Sequence, residues 1–227
     1  MEDWKAIYDN PQQRHQWKQH RSAYCVAEFL LERNGDQAIQ ARAAEVLGQG
    51  IKLEKAIPEY EVRFDRYGRG RVHDIGVFGR TESGQKVFVG VEAKVDEPFG
   101  PTLHDAYLEA KAKRIVGIST KAPERIEQLL ALHFTEPDPT MFDVKYQLLY
   151  ATAGTIAAEA DIHLLYVIVF KTPLYDESVG RKNYRDYIHF VNKADAVGLP
   201  LDPETAIGHK LNLGGKELIC IHEYFQL

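Results

Sequence analysis

From residue 51 to residue 95 the chain alternates β-branched and aromatic residues with polar ones, and it breaks only at "RYGRG" and "RTESGQ". A period of two, bounded by glycine-bearing turns, predicts three strands in a meander. No other feature limits the fold as tightly, because it decides which side chains share a sheet face. A turn centred on Ser83 sets Asp74 opposite Glu92, and directly opposed residues project from one face about 5 Å apart at Cβ. Lys94 lies two residues beyond Glu92 and shares that face. The alternate row of the third strand, Val87, Val89, Val91, Ala93 and Val95, is apolar and requires a core. His73 is expected to project with that apolar row, away from Asp74. Gly76 and Gly90, on the acidic row, add little bulk and leave room for a ligand or another backbone.

Two carboxylates held together repel unless one takes a proton or a cation joins them. A hard divalent ion such as Mg²⁺, or Mn²⁺ in its place, suits carboxylate oxygen, needs few protein ligands and keeps several waters. Such an ion acidifies a bound water and offsets charge developing on a phosphate, while Lys94 supplies a positive point charge. This is chemistry for phosphodiester hydrolysis. The plainer alternative is an exposed strand face whose glutamate and lysine serve solubility. In "AYCVAEFLL", Glu28 is the sole charge and lies on the helix face of Tyr24 and Leu31. Either a metal, a lysine or a water network satisfies it, or it marks the solvent edge of a mostly buried helix.

The rest of the chain is mainly helical in texture. Asn10 and Pro11 suit the cap and first turn of a long helix that stops at Gly35, and a shorter one fits between Asp36 and Gly48. "LHDAYLEAKAKR", "PERIEQLLALHF" and "FDVKYQLLYATAGTIAAEA" are helical patterns, and "IHLLYVIVF" has the length and continuous apolarity of a central strand covered on both faces. A polar helix and a hairpin turning at Gly214 and Gly215 follow Pro173. The expected organisation is a single α/β domain over residues 1–227, with a core at about 11–172 and a C-terminal elaboration at about 173–227.

A chain of 227 residues can bury a substantial core without disulfides. Its two cysteines, Cys25 and Cys220, stand in apolar segments and are expected as buried thiols, which suits a reducing cytoplasm. The N-terminal "MEDWKAIYDN" lacks the basic flank and apolar segment of a secretory signal, and the apolar run "LLYVIVF" is too short to span a bilayer. A net charge of −5 excludes a uniformly basic, nucleic-acid-coating surface. Local cationic clusters remain: residues 63–71, then Lys111, Lys113 and Arg114, then Arg181, Lys182 and Arg185. Each is a candidate nucleic-acid contact or simply a solvated face. The histidines show no spacing suited to zinc.

A helix carrying Glu28, a meander bearing Asp74 and then Glu92-Ala93-Lys94, and a later helix and buried strand together resemble the PD-(D/E)xK nuclease superfamily, the restriction-endonuclease-like fold, over roughly residues 11–172. His73 stands where that family often has proline. The resemblance implies a central mixed sheet flanked by helices and Mg²⁺-dependent cleavage of nucleic acid, DNA in the first instance. It implies that Asp74 and Glu92 hold the metal with help from the Ala93 carbonyl. Lys94 would position the attacking water, Glu28 would stand for the acidic residue of the first helix, and Gln147 would face the site from the later helix. Two other readings stay open: a catalytically silent nucleic-acid-binding or assembly module, and a small-molecule phosphohydrolase. No membrane partner is implied, and a homodimer is left open.

Overall fold

The three strands expected between residues 51 and 95 all form. The computed structural model describes residues 2–7, 9, 17–136, 138–201 and 206–227. In chain order the elements are helices α1 (Glu2–Ile7), α2 (Ser22–Glu32) and α3 (Gly35–Leu47), then strands β1 (Ile51–Val62), β2 (Arg71–Thr81) and β3 (Lys86–Lys94). Helices α4 (Leu103–Ile115) and α5 (Ala122–His133), a 3-10 turn at Pro139–Asp143, α6 (Tyr146–Ala157) and strand β4 (Ile162–Lys171) follow. The chain continues through α7 (Glu177–Lys193), β5 (Val197–Leu199), β6 (Ala206–Leu213) and β7 (Lys216–Gln226).

The strands build one sheet in the order β1-β2-β3-β4-β7-β6-β5. The β3–β4 and β4–β7 pairs are parallel and the others antiparallel. The hairpin β2–β3 has the register set by a turn centred on Ser83, with Ile75 opposite Val91 and Val77 opposite Val89. Gly84 closes that turn at φ 86°, which favours glycine, and its N–H donates to the Thr81 carbonyl. Strand β4 lies at the centre, and residues 164–170 are completely buried. Its alternation divides the core. Leu165, Val167 and Val169 pack with Ile126, Leu148 and Phe190 under α5, α6 and α7. Leu164, Tyr166 and Ile168 pack with Cys25, Phe29 and Ile39 under α2 and α3, together with Val89 and Val91.

The C-terminal segment is more than an elaboration. Strand β7 lies parallel beside β4, and its Leu218 and Ile221 are fully buried, so the hairpin β6–β7 completes the middle of the sheet. The first long helix is shorter than expected. It starts at Ser22, because residues 17–21 are non-helical and His20 has φ 66°, a conformation that cannot propagate a right-handed helix. The expected cap at Asn10 and Pro11 lies outside the described residues. Asn34, not Asp36, precedes α3 as its cap, while Gly48 at φ 62° ends that helix as expected. Cys25 and Cys220 are both free and buried, on opposite sides of the sheet. Among the described residues, no helix is long and apolar enough to cross a membrane.

Candidate functional site

Glu92 and Lys94 project from β3 on the face opposite Val91 and Ala93, and both are buried. This is the side covered by α6, which brings Gln147 between them. The Lys94 ammonium donates to Gln147 Oε1 at 3.2 Å, and Gln147 Nε2 donates to Glu92 Oε2 at 3.1 Å. Asp74 joins from β2: its Oδ2 accepts the Ala93 N–H at 2.6 Å. The hairpin register and this bond place Asp74 beside Glu92. Lys94 also lies 5.4 Å from the centre of the Phe99 ring.

Two further residues enter the cluster that alternation did not place there. Arg71 makes an ion pair with Glu92 Oε1, its Nε at 3.1 Å and its Nη2 closer still. His73 lies on the Glu92 face instead of the opposite one. Its ring packs on Phe88, and Nδ1 is 3.5 Å from Glu92 Oε1, a charge–dipole contact too long to count as a hydrogen bond. Strict alternation fails at this end of β2. Opposite it β1 passes through Glu59 at φ 49°, between the pairs Pro58–Ile75 and Tyr60–His73, and so turns locally. The space expected beside Gly90 and Gly76 is filled by the protein itself. A Cβ at Gly90 would come within 2.8 Å of the His73 ring and of Thr155 Oγ1, and one at Gly76 within 2.6 Å of the Tyr60 ring.

The electrostatics separate the two acids. Burial and then the charge of Glu92 push Asp74 up to about 7. Burial alone would raise Glu92 too, but Arg71, His73 and Lys94 together hold it down to about 2. Glu92 is therefore the ionised member and Asp74 carries the exchangeable proton. Burial lowers the pKa of His73 and keeps its ring neutral, and among the described residues neither of its nitrogens has a hydrogen-bond partner.

Glu28 stands on helix α2. Helix α2 covers the opposite side of the sheet through Cys25, Val26 and Phe29. Glu28 pairs at 3.1 Å with Arg33, a largely exposed partner. Among the described residues, no hydrogen bond or ion pair joins it to Asp74, Glu92 or Lys94. The cationic clusters are largely matched by acids. Lys113 pairs with Glu109 at 2.6 Å, Arg114 with Glu124, and Arg181 with Glu177 at 3.1 Å. Lys111 lies over the Tyr107 ring. Lys182 and Arg185 are exposed on α7. In the cluster at 63–71, Arg63 and Arg69 both face Glu61, and Arg71 points inward to Glu92.

The donor set can be tested against a divalent ion. Asp74 and Glu92 are hard oxygen donors, and a carboxyl that still holds a proton near neutrality is one where a cation could replace that proton. They form a pair and not a trio. Among the described residues, no group of three or more His, Cys, Asp or Glu side chains could hold a metal. A hard ion that keeps most of its waters fits two carboxylates, and ligation through Glu92 Oε1 requires that oxygen to give up its ion pair with Arg71.

Comparison with known proteins adds a family and no activity. Residues 1–221 match the model of a family described as a domain of unknown function, DUF6946. No curated protein and no solved structure matches the chain.

Proposed function

The chain belongs to the DUF6946 family, and we propose from the chemistry of its site that it is a metal-dependent nuclease hydrolysing nucleic-acid phosphodiester bonds, with DNA the substrate to test first. The observation that carries this reading is the linked set Asp74, Glu92, Gln147 and Lys94. One amide bridges Glu92 and the Lys94 ammonium, and the Ala93 N–H holds Asp74 beside them, so two acids with separated pKa values and one ammonium share the site. The mixed sheet with helices on both faces agrees with a restriction-endonuclease-like core.

Asp74 and Glu92 would hold a Mg²⁺ or Mn²⁺ ion, with the Ala93 carbonyl as a further donor. When bound, that ion would acidify a water and offset charge developing on the phosphate. The remaining work falls to the chain. Gln147 fixes the Lys94 rotamer, so that the ammonium faces the carboxylates and not solvent. Lys94, as a fixed positive charge, stabilises negative charge on the nucleophile and on the phosphate oxygens as they approach. Phe99 and the burial of Glu92 exclude bulk water and raise the effective strength of these charges.

The test incubates supercoiled, linear and single-stranded DNA, and RNA, with Mg²⁺ or Mn²⁺. Lys94→Ala should retain binding and lose cleavage, and Ca²⁺ should do the same to the wild type. One observation favours the second reading, a silent binding or assembly module on the same scaffold. The Arg71–Glu92 ion pair already neutralises the acid that would hold the metal. Binding without cleavage above the Lys94→Ala background would select that module, and cleavage of small phosphodiesters alone would select a phosphohydrolase.

A further inference from the structure

We infer that Arg71 is an internal competitor for the divalent ion, a counter-ion that holds Glu92 Oε1 in the metal-free protein and is released toward substrate phosphate when the ion binds. The inference rests on the nuclease reading above. Its basis is geometric. The Arg71 guanidinium addresses the same oxygen from both Nε and Nη2, and its side chain is 13% exposed. The other Glu92 oxygen is taken by Gln147. Two Arg71 N–H donors occupy both acceptor sites of Oε1, so an ion that ligates this oxygen must displace the guanidinium. The Gln147 contact is the poorer candidate for release, because that amide also positions Lys94.

Two neighbours make the opening feasible. His73 Nδ1, 3.5 Å from Glu92 Oε1, lies close enough to take over as donor to this carboxylate. The Arg71 guanidinium already lies 5.8 Å from the centre of the Tyr150 ring, a cation–π contact that can hold it after it leaves Glu92. Tyr150 is itself fixed by donating its hydroxyl to the Gly70 carbonyl at 2.9 Å. A guanidinium released there keeps its forked donors free for a phosphate, the geometry that arginine serves better than lysine.

The experiment measures Mn²⁺ binding by titration calorimetry for the wild type, Arg71→Met and Arg71→Lys, then inorganic phosphate binding to each Mn²⁺-loaded protein. Arg71→Met should bind Mn²⁺ about tenfold more tightly than the wild type, or about 1.4 kcal/mol, and should bind phosphate more weakly once loaded. Arg71→Lys should fall between them. Equal or weaker Mn²⁺ binding by Arg71→Met overturns the inference and leaves the nuclease reading standing, whereas folded proteins that all fail to bind Mn²⁺ overturn both. A wild-type measurement covers a variant that does not fold: the Arg71 Nε–H signal in NMR should be protected from solvent exchange without metal and lose that protection on Mg²⁺ addition. Protection unchanged at saturating Mg²⁺ refutes release.

Discussion

Replacing Asp74 with asparagine should stabilise the metal-free protein at pH 8 and leave it nearly unchanged at pH 4. Asparagine keeps an oxygen to accept the Ala93 N–H and removes the charge that faces Glu92. In the folded protein Asp74 titrates near 7, against an ordinary value of 3.8. Between these values the native state retains a proton that the unfolded chain has released. Stability is therefore intact below pH 3.8, falls as pH rises toward 7, and levels off above. About three pKa units at 1.36 kcal/mol each give an upper bound of about 4 kcal/mol. Asp74 is only partly buried and water screens its charge, so about 2 kcal/mol is the expected gain, or roughly 5 °C in Tm for a chain of this size. Urea unfolding followed by circular dichroism in EDTA, from pH 4 to pH 8, reads the difference directly. The two stability curves should meet near pH 4 and separate through pH 7. A difference independent of pH, or a variant less stable at pH 8, would show that burial and Glu92 do not hold the Asp74 proton.

Removing the bridging amide with Gln147→Leu leaves Glu92 Oε2 and the Lys94 ammonium without their shared partner; the cost should be about 1–3 kcal/mol in denaturant unfolding, with cleavage down about 10–100-fold. Gly90→Ala should drive a methyl into the His73 ring and Thr155, lowering Tm and moving the His73 ring signals in NMR, whereas Gly84→Ala, in the turn, should leave those signals in place. His133 and His222 are held near 4 by burial, so both stay neutral when folded and charge when unfolded. Each should withdraw up to about 3 kcal/mol of stability as pH falls from 6.5 to 4, and His222→Phe should flatten that slope in the same urea series. Neutralising Lys182 and Arg185 should lower DNA affinity and flatten its salt dependence by up to about one unit per lost phosphate contact. Neutralising Lys113 and Arg114, already paired with Glu109 and Glu124, should do less.

The acidic face was legible because β2 and β3 pair in the simplest way, around a turn that glycine permits. Valines on one row and acids on the other then specify the register through burial. Arg71 and His73 were not legible. Both lie beside a local turn of β1 at Glu59, and nothing about a glutamate announces a positive φ. The one available signal was the missing bulk at Gly90, which the sequence suggested as space for a ligand or backbone and the His73 ring fills. Glu28 was ambiguous for a different reason: alternation within a helix shows which residues share a face, but not which side of the sheet that helix covers. The same limit hid β7, since a buried strand near the C-terminus can extend an edge or insert beside the centre with equal local sequence.

A divalent-ion site at Asp74 and Glu92 can be seen in a crystal structure of the protein soaked in Mn²⁺, with anomalous scattering recorded at the manganese edge. One anomalous peak should lie about 2 Å from an oxygen of Asp74 and from one of Glu92, with the Arg71 guanidinium moved off Glu92 Oε1 and Lys94 still bonded to Gln147. Glu92 still paired with Arg71 and no peak between the carboxylates, in crystals where Mn²⁺ is saturating, would contradict it.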